Sequence, residues 1–301
     1  MKEMSFKKSI VVFSKDNSVW DSKGKLRKNV ISAMLDKIVK KIFSVSNVKD
    51  GWKKIVKPGD VIGIKVNCLA GKGASTHKEL VEVIINRIID AGISENRIVI
   101  WDRLNYDLKK GGFKLKYRGS GPLCFGNDAA GYEDNVTIKG SIGSQLSKVL
   151  TRYCSAIINV PVIKDHGIVG FTGALKNYFG AINNPNKYHD NYGNPYIADL
   201  NTLDIIKNKT RITIMDGLTT QYEGGPSYIP GWSWKSNIIG ISKDMVALDY
   251  VCWQLIEEKR KEKGIMSLKE AGREPVYIFT AGDKNHKLGN ANPDKIDIKY
   301  V

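Results

Sequence analysis

The chain is predicted to be an α/β protein: a mostly parallel sheet with helices on both faces. It would form one compact unit over residues 1–301 or two interlocked Rossmann-like halves, 1–140 and 141–301. Short β-branched runs alternate with amphipathic helical stretches along the whole length. Strand, helix and strand follow one another over residues 61–101, at the length of a parallel crossover. Polar, glycine-rich segments stand directly after the apolar runs, where open α/β sheets place their ligands.

In chain order, residues 9–13 read as a first strand. Ile31, Met34, Leu35, Ile38, Val39 and Ile42 mark one face of a helix over residues 30–43. Residues 57–60 form a turn, 61–67 a strand, 77–91 a helix stopped by Gly92, and 97–101 the next strand. Residues 106–139 are irregular and glycine-rich, an excursion over a sheet edge or a site, and 144–153 form a short helix. Residues 156–163 (Ala-Ile-Ile-Asn-Val-Pro-Val-Ile) read as a buried strand whose end Pro161 marks. A strand at 211–215, a mobile loop at 221–226 and a strand at 237–241 follow. Ser242 is expected to cap a helix over 243–263 that stops at Gly264, and residues 276–280 close the sheet.

The densest chemistry lies in residues 160–180, which place Lys164, Asp165, His166, Thr172, Lys176 and Asn177 just past a strand end. Gly167, Gly170 and Gly173 among them allow close backbone approach or positive φ. The loop 67–77 (Asn-Cys-Leu-Ala-Gly-Lys-Gly-Ala-Ser-Thr-His) follows Lys65 and enters a helix N-terminus, a place that suits an anion. It has neither the P-loop spacing nor a dinucleotide fingerprint, and Ser75 serves equally well as a helix cap or a ligand contact. Asp102 and Arg103 follow one strand and Asp216 another; the first two read equally as a surface ion pair.

Composition narrows the function classes. No apolar run reaches the roughly 18 to 20 residues of a membrane span, and the first ten residues lack a secretory pattern, so a cytoplasmic protein is expected. Cys68, Cys124, Cys154 and Cys252 are scattered without zinc or iron–sulfur spacing and read as free thiols. The net charge of +16 raises nucleic-acid binding. The 38 Lys against 9 Arg, dispersed along the chain, argue instead for a solvated surface whose field favours anionic ligands.

Residues 58–67, 75–80, 98–103, 164–180 and 244–249 together resemble the domain-of-unknown-function family 362, from about residue 8 to the end. That resemblance implies the fold but no particular reaction. The ferredoxin-like modules and export signals of some members have no counterpart here, so no iron–sulfur cluster is expected. A shorter stretch, His166-x-x-x-Gly-Phe-Thr-Gly-x-x-Lys176, resembles lactate racemase. By that likeness Lys176 would carry a nickel-pincer nucleotide and His166 would move a proton. Ala174 replaces a glycine of that segment, Trp101-Asp-Arg103 stands for its Gly-Thr-His, and His189 lies at a different spacing from its metal-ligand histidine. The metal ligands therefore stay unassigned, and the cofactor stays open between a metal and a nucleotide-derived group.

These residues suggest acid–base chemistry, such as isomerisation, on a small carboxylate or phosphate. His166 beside Lys164 and Lys176 would be held neutral and act as base together with Lys176. Lys65, Lys164 and Arg103 would hold the anion, with Asn67, Asn177, Thr172, Ser75 and Thr76 orienting it and Asp102 and Asp216 anchoring a sugar or a hard cation. The same groups would serve a non-catalytic binder of an anionic metabolite or cofactor. The expected partner is a small anionic molecule rather than a membrane or a nucleic acid, and a homo-oligomer is compatible with the sequence.

Overall fold

The computed structural model describes residues 8–301. The reading of the N-terminus as lacking a secretory signal falls largely on residues 1–7, outside the described residues. The strands are β1 (Ser9–Lys15), β2 (Ile62–Lys65), β3 (Ile98–Trp101), β4 (Leu123–Cys124), β5 (Thr137–Lys139), β6 (Ile142–Ser144), β7 (Ala156–Asn159), β8 (Val162–His166), β9 (Gly170–Thr172), β10 (Thr210–Gln221), β11 (Ser233–Trp234), β12 (Ile238–Ser242) and β13 (Ile296–Tyr300). The helices are α1 (Lys28–Phe43), α2 (Val48–Ile55), α3 (Lys78–Asp90), α4 (Asn105–Lys110), α5 (Asn127–Ala130), α6 (Ala174–Asn177), α7 (Tyr196–Asn201), α8 (Asp204–Lys209), α9 (Met245–Glu262) and α10 (Tyr277–Ala281).

The main sheet runs β13-β1-β12-β10-β7-β2-β3-β4. Its β4-to-β10 half is parallel throughout; β12 is antiparallel to both β10 and β1, and β13 lies parallel to β1. Strand periodicity sorts side chains to two cores. Ile62, Ile64, Ile98, Ala156 and Ile158 face the cluster under α1, α2 and α3. Val99, Trp101 and Ile157 face the cluster built with α6, α7, α9 and α10. Both clusters draw on residues before and after position 140, as does the sheet. Among the described residues no helix is long and apolar enough to cross a membrane.

Several elements differ from expectation. The run ending at Pro161 splits into two strands: β7 stops at Asn159, Asp216 N donates to the Pro161 carbonyl at 2.8 Å, and β8 continues along β10. Proline has no N–H to give a ladder, so the break falls there. Lys164 and His166 thus lie on a strand rather than in a loop, and Asp216 lies in the middle of the twelve-residue β10. Residues 144–153 carry the end of β6 and a single π-helical turn, Val149–Tyr153. The helix over 243–263 is capped by Asp244, whose carboxylate accepts from Ala247 N at 2.9 Å; Ser242 instead accepts from Asp244 N at 3.0 Å.

Residues 276–280 form no strand. Tyr277, Ile278 and Ala281 are buried while Val276 and Phe279 face outward, a helical spacing that the four-residue apolar run 276–279 cannot distinguish from a strand. The strand at this edge is β13, which pairs in parallel with β1 and buries only Ile296 of its apolar residues. The segment 221–226 is tethered: Glu223 pairs with Arg260 and Arg273, and Gly225 N donates to Asp165 Oδ2 at 3.0 Å.

Gly63 sits where β2 crosses Trp101 and Ile157. A Cβ there would stand 2.7 Å from Ile157 Cδ1 and 2.8 Å from Cys154 Sγ. Gly63→Val is expected to lower stability by about 1 to 3 kcal/mol through overpacking. A drop in the urea midpoint with unchanged slope checks this, and an unchanged midpoint refutes it.

Candidate functional site

Three strand ends meet on the α6 face of the sheet. Register places Lys65 of β2 beside Trp101 of β3 and Asn159 of β7. Lys65 is fully buried, and its ammonium donates to Asp102 Oδ1 (2.7 Å), to the Val66 carbonyl (2.7 Å) and to Asn177 Oδ1 (3.3 Å). Each of its three protons therefore has an acceptor. Asp102 is equally engaged, accepting from Cys68 N at 2.7 Å and Arg103 N at 2.8 Å.

Above this pair the amides form a chain. Asn177 Nδ2 donates to Asn159 Oδ1 at 2.7 Å, Asn67 Nδ2 donates to Asn177 Oδ1 at 3.2 Å, and Lys164 Nζ donates to Asn67 Oδ1 at 3.0 Å and the Ala74 carbonyl at 3.3 Å. Asn177 and Lys176 come from α6, a four-residue helix positioned from α9. Asp249 accepts Ala174 N at 2.6 Å and Leu175 N at 2.9 Å. Its close approach requires glycine at 173, where a Cβ would collide with Asp249 Oδ1.

A cavity of about 360 Å3 lies over this network. Strand alternation turns Lys164 and His166 into it and sends Asp165 the other way, to Arg273. Thr172, opposite Lys164 in the β8–β9 hairpin, also lines the cavity, and its buried hydroxyl has no hydrogen-bond partner among the described residues. On the other wall Lys176 Nζ stands 3.2 Å from His189 Nε2 and 5.0 Å from the Phe179 ring centre. The His189 and His166 rings stack at 5.3 Å.

The two histidines differ in tautomer. His166 Nδ1 accepts from Ile168 N (3.2 Å) and Val169 N (3.4 Å), which leaves the proton on Nε2. His189 Nδ1 faces the carbonyls of Pro185 (3.2 Å) and Asn186 (3.3 Å) and must donate, leaving Nε2 as acceptor for Lys176. Burial and the neighbouring Lys176 push the His166 pKa down to about 2, so its imidazole is neutral throughout the physiological range. Burial, then Lys176, also lowers His189. Burial brings Lys164 down to about 8, and burial together with Lys164 brings Lys176 to about 7. His166 is thereby a neutral donor, whereas the group able to take a proton is the Lys176–His189 pair.

Of the residues singled out from sequence, Asn67, Asp102, Arg103, Lys164, His166, Thr172, Lys176 and Asn177 line this one cavity. Four stand elsewhere. Lys65 lies beneath its floor; Ser75 donates to the Gly71 carbonyl (2.7 Å) and Thr76 to the Val160 carbonyl (2.7 Å), so both hold the loop. Ser75 is not the helix cap: Asp216 reaches across to accept from His77 N at 2.7 Å, and its carboxylate is thereby engaged. The surface ion pair considered for Asp102 and Arg103 gives way to the buried Lys65–Asp102 pair. Cys68, Cys124, Cys154 and Cys252 are free and buried; burial pushes the Cys68 thiol well up, which makes it a poor partner for His166.

His189 and Phe179 line the cavity without having been assigned a role from sequence. Phe179 lies in the 3-10 turn Tyr178–Ala181, and His189 joins the turns Pro185–Tyr188 and Asp190–Gly193. Turns of this length carry no periodic signal; only the scarcity of histidine, four in the chain, marks His189 out. Among the described residues no group of three or more His, Cys, Asp or Glu could hold a metal ion. A metal on His189 Nε2 would have to displace Lys176, so these residues do not assemble a metal site of their own.

The family model described as Domain of unknown function (DUF362) matches residues 62–254. No curated protein matches the chain. A crystal structure of a protein from Thermotoga maritima is similar at a TM-score of 0.39 and 13% identity, covering 67% of this chain and 53% of that one. The chain therefore spans about half the length of that protein.

Two outcomes are expected from this geometry. Asp102→Ala leaves the Lys65 ammonium buried without its counter-charge and should cost about 3 to 5 kcal/mol in denaturant unfolding; a loss below about 1 kcal/mol would show the pair to be dispensable. The lowered Lys164 and Lys176 pKa values give a pH dependence. Above pH 7 to 8 the folded chain has released protons that the unfolded chain keeps until about 10.4, so stability rises with pH across that window. Unfolding midpoints of Lys164→Met/Lys176→Met should lose that part of the slope, and parallel curves for the two proteins would contradict the assignment.

Proposed function

The chain belongs to the DUF362 family, whose description names no reaction, and from the site itself we propose that it binds a small carboxylate or phosphate and performs acid–base chemistry on it, such as isomerisation. The observation that carries this reading is a set of cationic donors around one cavity with no carboxylate at ion-pair distance among the described residues. Among the described residues neither Lys164 nor Lys176 pairs with a carboxylate, and the Thr172 hydroxyl beside them has no partner. Buried polar groups are normally satisfied, so an anion is the complement this wall lacks.

The roles follow from the tautomers. Lys164, fixed by Asn67 and Ala74, holds the anionic group together with Thr172. Lys176, titrating near 7, removes a proton from the bound molecule as the neutral amine and shares it with His189 Nε2. His166 presents Nε2–H and stabilises a developing enolate oxygen. Arg103 adds a further positive charge at the cavity wall.

Exchange with D2O of the C2 hydrogen of 2-hydroxy carboxylates and of the C3 hydrogens of 2-oxo carboxylates, followed by proton NMR, tests this. Exchange should rise with pH through about 7 as Lys176 loses its proton, and decline above about 8 as Lys164 loses the charge that holds the anion. Lys176→Met should reduce it at least about a hundred-fold, the usual scale of a general base. Calorimetric binding of these anions with no exchange at any pH would leave a binder and refute the catalytic half.

A further inference from the structure

A second cleft, of about 850 Å3, shares no lining residue with the first. Its walls come from residues 20–28, 72–82 and 219–235. We propose that this cleft binds a nucleotide-sized ligand, an aromatic ring joined to phosphate, with the ring against the cleft's aromatic side chains and the phosphate facing His77 and the surrounding lysines. The inference is independent of the activity proposed for the first cavity.

The aromatic part rests on three half-buried rings. Trp20 is fixed by its Nε1, which donates to Asn237 Oδ1 at 2.9 Å, and it meets the His77 ring edge-on at 5.8 Å. Tyr228 lies against Gly73, where a Cβ would stand 2.6 Å from its ring. Trp234, on β11, completes the set. Aromatic faces of this kind stack on a base regardless of its identity.

The charged part rests on His77. Asp216 is fully buried, and its carboxylate accepts His77 N (2.7 Å), His77 Nδ1 (2.9 Å) and Leu218 N (3.1 Å). A buried carboxylate holding one imidazole by backbone and ring sets the Nε2 edge toward the cleft, near Thr219 Oγ1 at 3.4 Å. Burial works against the charge on His77, but Asp216 outweighs it and the pKa is raised. Lys25, Lys28, Lys72, Lys78 and Lys235 line the cleft against Glu79 and Glu82, an excess of three positive charges. Among the described residues only Lys28 of these lysines is tied to a carboxylate, Glu82 at 3.0 Å. Lys235 Nζ lies 4.4 Å from the centre of the Trp20 ring, which brings the charged and aromatic parts together.

The chain has four histidines, so each imidazole can be followed separately by NMR of 15N-histidine-labelled protein. ADP should shift the His77 signal and leave His166 and His189 in place. Lys72→Glu/Lys235→Glu, at exposed positions, should weaken ADP binding at least ten-fold, and Lys176→Met should leave it unchanged. Adenosine and tripolyphosphate should each bind at least ten-fold more weakly than ADP. An unmoved His77 signal at millimolar ADP overturns the proposal, as does a shift of His166 and His189 in its place. Tripolyphosphate binding as tightly as ADP would leave a bare polyanion site, and a single-stranded oligonucleotide displacing ADP with higher affinity would make the cleft part of a nucleic-acid surface; either result refutes the nucleotide assignment.

Discussion

The buried ion pair of Lys65 and Asp102 is the constraint on which the site depends. A lysine at the end of a central strand, with no exposure, is tolerable only because one carboxylate and two neutral oxygens take its three protons. Satisfying it draws in the rest. Asp102 must leave β3 toward the sheet interior, Asn177 must come down from α6, and Asn67 must follow Asn177. The pair adds little net stability of its own; it ties three chain segments, residues 65–67, residue 102 and α6, into one network.

Against that satisfied floor, the cavity wall is left unsatisfied. Lys65 has a charged partner, whereas Lys164 has two neutral acceptors and Lys176 has one imidazole nitrogen. The difference separates structural from available charge in a chain with 38 lysines. It also explains the lowered pKa values: with no carboxylate paired to either ammonium, burial disfavours the charge.

Distant elements hold the side chains that line the cavity. Asp249, near the start of α9, fixes the start of α6 and so the direction of Lys176; Arg273 and Gly225 hold Asp165, the residue between Lys164 and His166 on β8. Neither carboxylate faces the cavity. Both illustrate why a carboxylate within a polar motif need not act on a ligand: period-two alternation on a strand sends alternate residues to opposite faces, and a helix start offers free N–H groups to satisfy it.

Much of the architecture was legible in the sequence because hydrophobic periodicity is local. The β2–α3–β3 crossover and α1 follow from apolar spacing; residues 164–177 stand out by their polar density, but that Lys164 and His166 lie on β8 and share one cavity with Lys176 was decided by the fold. Short runs are ambiguous, as at α10, where the four apolar residues 276–279 fit either period. What only the tertiary structure decided is pairing across the chain: Asp216 with His77 over 139 positions, Lys65 with Asp102 over 37, and Lys176 with His189 through a turn that has no period. Sequence states which residues can carry charge or a proton; the environment that decides whether they are neutralised, tautomerised or left open is made by segments that meet only when the sheet is assembled.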